Sequence, residues 1–331
     1  MNGEHVSPVG IVLGSHMPPE LIRATAQLAE SSGFGELWFS EDCFFSGGAA
    51  GVTAALAATE RTSVGLGIVS AVARHPAITA MEFAAIARMF PGRFRPGIGY
   101  GVPAWLDQMG LAQASPLTAL RECVTALRRL LDGEELIEQG RVFTFDHVRL
   151  TYPPPERVPI DMGLVNAHGL RLSGEIADGT VLSVLASPAY VAWARDRIGE
   201  GATRGARNDH HRVTTYALFS VDRDGRKAKA AVRAAIAFYL SAMPNTALSD
   251  VYGITDDVQE ILRHGGADEL ALAMPDRWVE DLAVAGEPDE CAEKLKALLA
   301  AGSDSVGLWL FPIDDGDAVA RLASTEVLPR L

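Results

Sequence analysis

The chain has 331 residues, 48% of them hydrophobic, with 29 basic and 42 acidic side chains and a net charge of −13. A chain this size can bury a large core. The acidic balance argues against nucleic acid or an anionic membrane as partner, since both reward basic patches. Cys43, Cys123 and Cys291 are too few and too far apart for a disulfide framework or a pair of metal ligands, so the expected setting is reducing and cytoplasmic, with no metal. No apolar run reaches the roughly 18 residues of a membrane span, and the first residues do not read as a signal peptide.

Short apolar runs alternate with amphipathic stretches along most of the chain. Val9 to Gly14 reads as a buried strand, and Pro18 to Glu30 as a helix that Gly33 stops. Strand-like runs follow at Glu36 to Ser40, Thr62 to Ser70 and Phe94 to Gly101. The helices between and after them are Val52 to Thr59, a segment entered through Pro76, and Ser115 to Leu131. Period-two alternation around a glycine turn predicts a hairpin insertion within Leu136 to Pro159. Strands resume at Ile160 to Val165, Thr180 to Leu185, Val213 to Val221 and Val306 to Phe311. Helices at Gly169 to Ala177, Pro188 to Gly199, Lys227 to Leu240 and Pro288 to Ala301 accompany them. Residues 241 to 286 read as a second insertion.

Each return to a parallel strand needs a crossover helix, so eight such units predict an α/β fold, a closed (β/α)8 TIM barrel with insertions after strands four and seven. A doubly wound sheet is the alternative. No linker composition divides the chain, so residues 1–331 read as one domain.

In such a barrel the chemistry gathers at the C-terminal ends of the strands. Those ends carry Ser15 and His16, then Glu41, Asp42 and Cys43, then residues 69 to 75, 100 to 105, 166 to 168 and 183 to 187. This rim is aromatic and poor in protonic groups, with no nucleophile–base pair and no metal-ligand spacing. It suits a flat organic cofactor that carries its own reactivity. Gly97-Ile-Gly-Tyr-Gly101 has the wrong spacing for a dinucleotide fingerprint. Asn166 to Arg171 leads a small-residue turn into a helix, which offers free N–H groups to an anion. At Cys43, a packing role against Phe44 and Phe45 competes with a chemical one.

The stretches GIVLG, PPELIRATAQLAESSGFGELWFSED, TSVGLGIVSAVARHPAITAMEFAAIARMFPGRF, GIGYG, LRLSGEIADG and PDECAEKLKALLAAGSDSV together resemble the bacterial luciferase-like flavin- and deazaflavin-dependent oxidoreductases. The branch that they resemble most is that of methylenetetrahydromethanopterin reductase, which uses coenzyme F420. The resemblance implies a tricyclic ring at the barrel mouth, supported by a bulge that maps to Ile68, Val69 and Ser70, with Ala71, Arg74, His75 and Gly99 nearby. Its phosphate contacts map onto Asn166, Ala167, His168 and Gly169 and onto Ala177 and Gly179, with Asp178 as a structural cap. Family members often carry Asp-His after strand two, where this chain has Asp42-Cys43, so Glu41, Asp42 or Cys43 must do that work. The expected function is a reductase passing hydride from reduced F420 to an electrophilic double bond of a small apolar substrate. An FMN-dependent monooxygenase and a non-catalytic flavin-binding barrel are the alternatives, and a homodimer is the expected assembly.

Overall fold

A computed structural model describes residues 7–14 and 17–331. Its strands are β1 (Val9–Leu13), β2 (Glu36–Phe39), β3 (Ser63–Ser70), β4 (Phe94–Gly99), β5 (Leu136–Gln139), β6 (Thr144–Val148), β7 (Asp161–Gly163), β8 (Gly179–Leu182), β9 (Arg212–Val221), β10 (Val284–Gly286) and β11 (Ser305–Leu310). β1, β2, β3, β4, β7, β8, β9 and β11 pair in that order, all parallel. β11 also pairs with β1, which closes the ring as an eight-stranded TIM barrel.

β1, β2 and β8 are buried along their whole length and the other barrel strands at all but one or two residues, as expected of a parallel sheet wrapped by helices. Helices at Ile22–Ser31, Gly48–Ala58, Pro76–Met89, Pro116–Leu131, Ala167–Ile176, Pro188–Arg204, Gly225–Ala242 and Pro288–Ala300 form the outer layer. Each of the eight expected helices starts or ends within two residues of an observed limit. The second begins at Gly48, four residues before Val52, and the seventh strand's predecessor helix runs to Arg204. Proline sits in the first turn of several of them, where its missing N–H costs no hydrogen bond.

β5 and β6 form the expected antiparallel hairpin after β4. The second insertion, after β9, folds into helices at Ala247–Asp250, Thr255–Ala273 and Asp276–Leu282 and ends in β10. The sequence does not announce β10, because three residues are too few to show alternation. It adds to β9 outside the ring, with Val284 opposite Phe219.

The barrel interior is filled from below. Trp38 is fully buried, and a methyl at Gly65 would lie 2.3 Å from its indole. Ion pairs bind the strands at their N-terminal ends: Arg95 of β4 to Asp161 of the neighbouring β7 at 2.7 Å, and Arg212 of β9 to Glu36 of β2, with β11 and β1 between them in the ring, at 2.6 Å. Asp178, just before β8, takes Arg157 at 2.7 Å and Arg207 at 3.0 Å as well as Arg128 and the Ile160 N–H. Burial alone would raise the Asp178 carboxyl, but these partners hold it below the usual range. It is the structural cap expected of it.

Candidate active site

A cavity of about 290 Å³ opens at the C-terminal end of the barrel. Its wall on one side is β3, whose register against β4 shifts between Leu66 and Val69. The Gly67–Ile68 peptide there is cis. The bulge therefore starts one residue before the expected position. Ile68 and Ser70 line the cavity, while Val69, between them, turns into the core at 2% exposure.

The other wall residues are mainly aromatic and aliphatic. Tyr100 and Trp105 come from the segment after β4, Tyr216 from β9, Tyr239 from the helix after β9, Met243 from the residue just past that helix, and Trp309 from β11. Phe44 and Phe45, expected in this mouth, are 65% and 61% exposed and do not line it. Burial raises the Tyr100 phenol to about 12.

Glu41, Asp42 and Cys43 all reach the cavity from the end of β2. Glu41 is committed. Arg74 donates to both of its oxygens at 2.7 Å, and the Gly48 N–H donates to Oε2 at 2.7 Å. Arg74, expected to face a cofactor, spends its fork on this carboxylate instead, with Glu82 3.7 Å away. Cys43 is half-buried, and burial pushes its thiol up, reinforced by Glu41 and Asp42 and partly offset by Arg74. The thiol is therefore protonated at neutral pH.

Several expected contacts lie elsewhere. His75 begins the helix Pro76–Met89, where its Nδ1 accepts from the Ala77 N–H at 3.2 Å. Its ring packs edge-on against Phe143 and Phe145 of the hairpin, with centroids 5.7 and 5.0 Å apart. Ala71 lines a separate small cavity with Pro103. Gly99 is not in the wall; a methyl on it would lie 2.0 Å from Ile68 Cδ1, so it makes room for the bulge. Ala177 and Gly179 sit at the N-terminal end of β8, beside Asp161 and Arg212, at the opposite end of the barrel from the mouth. They are in the wrong place to meet a ligand in this cavity. Ser15 and His16 lie outside the described residues.

The turn after β7 is nearer to expectation. The helix Ala167–Ile176 starts at Ala167 with no side chain capping it, because Asn166 Oδ1 accepts from the Ala247 N–H at 3.0 Å. A methyl at Gly169 would lie 3.0 Å from the Tyr100 hydroxyl, so the start of this helix abuts a cavity-lining ring. His168 and Arg171 face a different, outer cleft of about 510 Å³ that also holds Arg121, Arg141 and Arg204. Arg171 is paired there with Glu200 at 2.5 Å.

Sequence reasoning missed Gly67, Tyr216, Tyr239, Met243 and Trp309. Tyr216 and Trp309 look like core residues of late strands, and only the closed ring brings them opposite β2 and β3. Among the described residues, no three His, Cys, Asp or Glu side chains gather as a metal site, and no helix is long and apolar enough to cross a membrane.

Known proteins are similar to this chain in sequence and fold. A 5,10-methylenetetrahydromethanopterin reductase of Archaeoglobus fulgidus is 29% identical over 317 residues, which cover 92% of this chain and 94% of that one. An F420-dependent glucose-6-phosphate dehydrogenase of Nakamurella multipartita is 27% identical, covering 83% and 79%. The solved structure of the coenzyme F420-dependent tetrahydromethanopterin reductase from Methanopyrus kandleri superposes with a TM-score of 0.86 at 28% identity, over 98% of this chain and 99% of that one. The family model described as luciferase-like monooxygenase matches residues 4–305, and the chain belongs to that family.

Proposed function

We propose that this chain is a coenzyme F420-dependent reductase acting on an electrophilic C=C or C=N bond of a small, largely apolar substrate. The observation that carries the reading is the cavity itself: a mainly apolar slot against the bulge of β3, with no nucleophile–base pair among the described residues of its wall. Relatives named as F420-dependent support the choice of coenzyme. When bound, the deazaflavin supplies a hydride and no oxygen chemistry.

The residues present fit such a ring. Ile68 and Ser70 offer one face a wall, and Tyr100, Trp105 and Trp309 offer it aromatic neighbours. The free first-turn N–H groups of the helix Ala167–Ile176 fit the phosphate of an anionic tail. The protein's part in the chemistry is then to exclude water, align the acceptor at near-attack distance and supply one proton. Glu41 is held by Arg74, which leaves Asp42 and Cys43 at the rim. The Cys43 thiol carries a proton at neutral pH and gives it to the atom next to the one that accepts hydride; solvent reprotonates the thiolate. Hydride plus proton balances a two-electron reduction.

Fluorescence titration of the purified protein with F420 and with FMN tests the coenzyme. A screen of reduced F420 against enones and imines tests the reaction. Binding of FMN without any response to F420 would replace this reading with the flavin monooxygenase. Light scattering on the same sample tests the homodimer.

A further inference from the structure

Tyr216 occupies the middle of β9, opposite Gly307 of β11, so it stands deep in the barrel below the rim where Asp42 and Cys43 sit. It is 6% exposed and lines the cavity. Its hydroxyl has no hydrogen-bond partner among the described residues. The ring leans edge-on against Trp38, with centroids 5.8 Å apart, and that contact fixes its direction. The hydroxyl ends in the notch left by the missing side chain of Gly67, where a methyl would lie 2.0 Å from it. Gly67 and Tyr216 thus meet at the bulge that forms the cavity wall.

A phenylalanine would fill the same space without burying an unmet donor, so the hydroxyl costs stability unless something else engages it. Burial and the nearby carboxylates Glu36, Asp161 and Asp42 hold the phenol well above its ordinary range, so it stays a donor. The same carboxylates disfavour an anionic partner. What remains is an uncharged acceptor, carried by whatever group goes deepest into the cavity.

We propose that the Tyr216 hydroxyl donates a hydrogen bond to a carbonyl oxygen on the pyrimidine-dione edge of the bound redox ring. This rests on the reading of the cavity as the F420 site. The ring enters first and reaches the floor, and the substrate then stacks over it at the level of Cys43. Tyr216 is in this account a binding residue, one that fixes which edge of the ring points down.

The test compares wild type and Tyr216→Phe, each titrated with oxidised F420 and followed by fluorescence and by the visible absorption band. Wild type is expected to bind F420 and shift the band; the variant is expected to bind about three- to tenfold more weakly and to lose most of the shift. Without coenzyme, the variant is expected to melt no lower than wild type, since it removes an unmet donor. Equal affinity and an identical band in the two proteins would overturn the role of Tyr216 while leaving the F420 site standing. A large loss of stability in the variant without coenzyme would also overturn it, by showing that the hydroxyl serves the fold. No response of wild type to F420 would remove the proposal together with the reading it rests on.

Discussion

Arg74 grips Glu41 through two parallel hydrogen bonds of 2.7 Å on the wall of the cavity, with the carboxylate side chain only 10% exposed. Two groups that sequence placed in different roles, one toward cofactor and one toward chemistry, are each other's partner. Their pairing decides how much charge the cavity presents.

Removing the arginine tests this. In Arg74→Ala, Glu41 keeps the Gly48 N–H but loses its counter-charge, and we expect about 2 kcal/mol of lost stability, below the usual cost of unpairing a fully buried ion. Chemical denaturation measures it. A variant as stable as wild type would show that the pair contributes nothing net.

Cys43 should be a sluggish nucleophile. Its thiol is raised by burial, Glu41 and Asp42, so alkylation by iodoacetamide should still be accelerating above about pH 9, where an ordinary thiol levels off. Arg74→Ala should slow it further, because Arg74 is the group that favours the thiolate. Mass spectrometry on the modified protein gives the rates. In turnover, Cys43→Ala should lose about 100-fold in kcat with little change in F420 affinity if the thiol delivers the proton. Wild-type rates in that variant would return the role to Asp42 or to water.

Gly67→Ala should damage the cavity through plain crowding. The added methyl would sit 2.0 Å from the Tyr216 hydroxyl and 3.0 Å from the Trp38 ring. We expect about 1–3 kcal/mol of destabilisation. The double variant with Tyr216→Phe should recover part of it, because the clashing oxygen is gone. Strictly additive losses would mean that the two positions do not touch.

Acid sensitivity should trace in part to Glu30, at the end of the helix Ile22–Ser31. Its carboxylate accepts from the backbone N–H groups of Glu60, Arg61 and Thr62 and from the Thr62 hydroxyl. Burial would raise its pKa, yet these donors outweigh burial and hold it at about 2, down from 4.5. The folded pKa is the lower one, so the stabilisation is complete above pH 4.5 and is lost as pH falls toward 2. Glu30→Gln should therefore cost about 1 kcal/mol at neutral pH, and its deficit against wild type should close at low pH. Urea midpoints measured across that range decide it; a deficit independent of pH would assign the latch to shape alone.

The barrel could be read from sequence because its evidence is local. An apolar run such as Thr62 to Ser70 and a proline-led helix such as Pro76–Met89 each announce themselves within a dozen residues. The closure of β11 on β1 follows once eight such units are counted. The cavity wall was harder, since it is made of residues that range from Ser40 to Trp309 along the chain. Glu41, Asp42, Cys43, Ser70, Tyr100 and Trp105 were found because they directly follow or end a strand. Tyr216 and Trp309 were not, because inside a strand a lining residue and a core residue look alike. His75 and Arg74 were misplaced for the converse reason: they follow β3 in sequence, but a hairpin and a carboxylate claim their side chains first.

The charged contacts at the foot of the barrel have a practical corollary. Arg95 with Asp161 fastens two adjacent staves at the end remote from the mouth, and Arg212 with Glu36 ties β9 to β2 at that same end. Whoever wishes to re-equip this scaffold for other acceptors can randomise positions 42, 43, 102 and 243 at the top while the hoop below keeps the vessel shut.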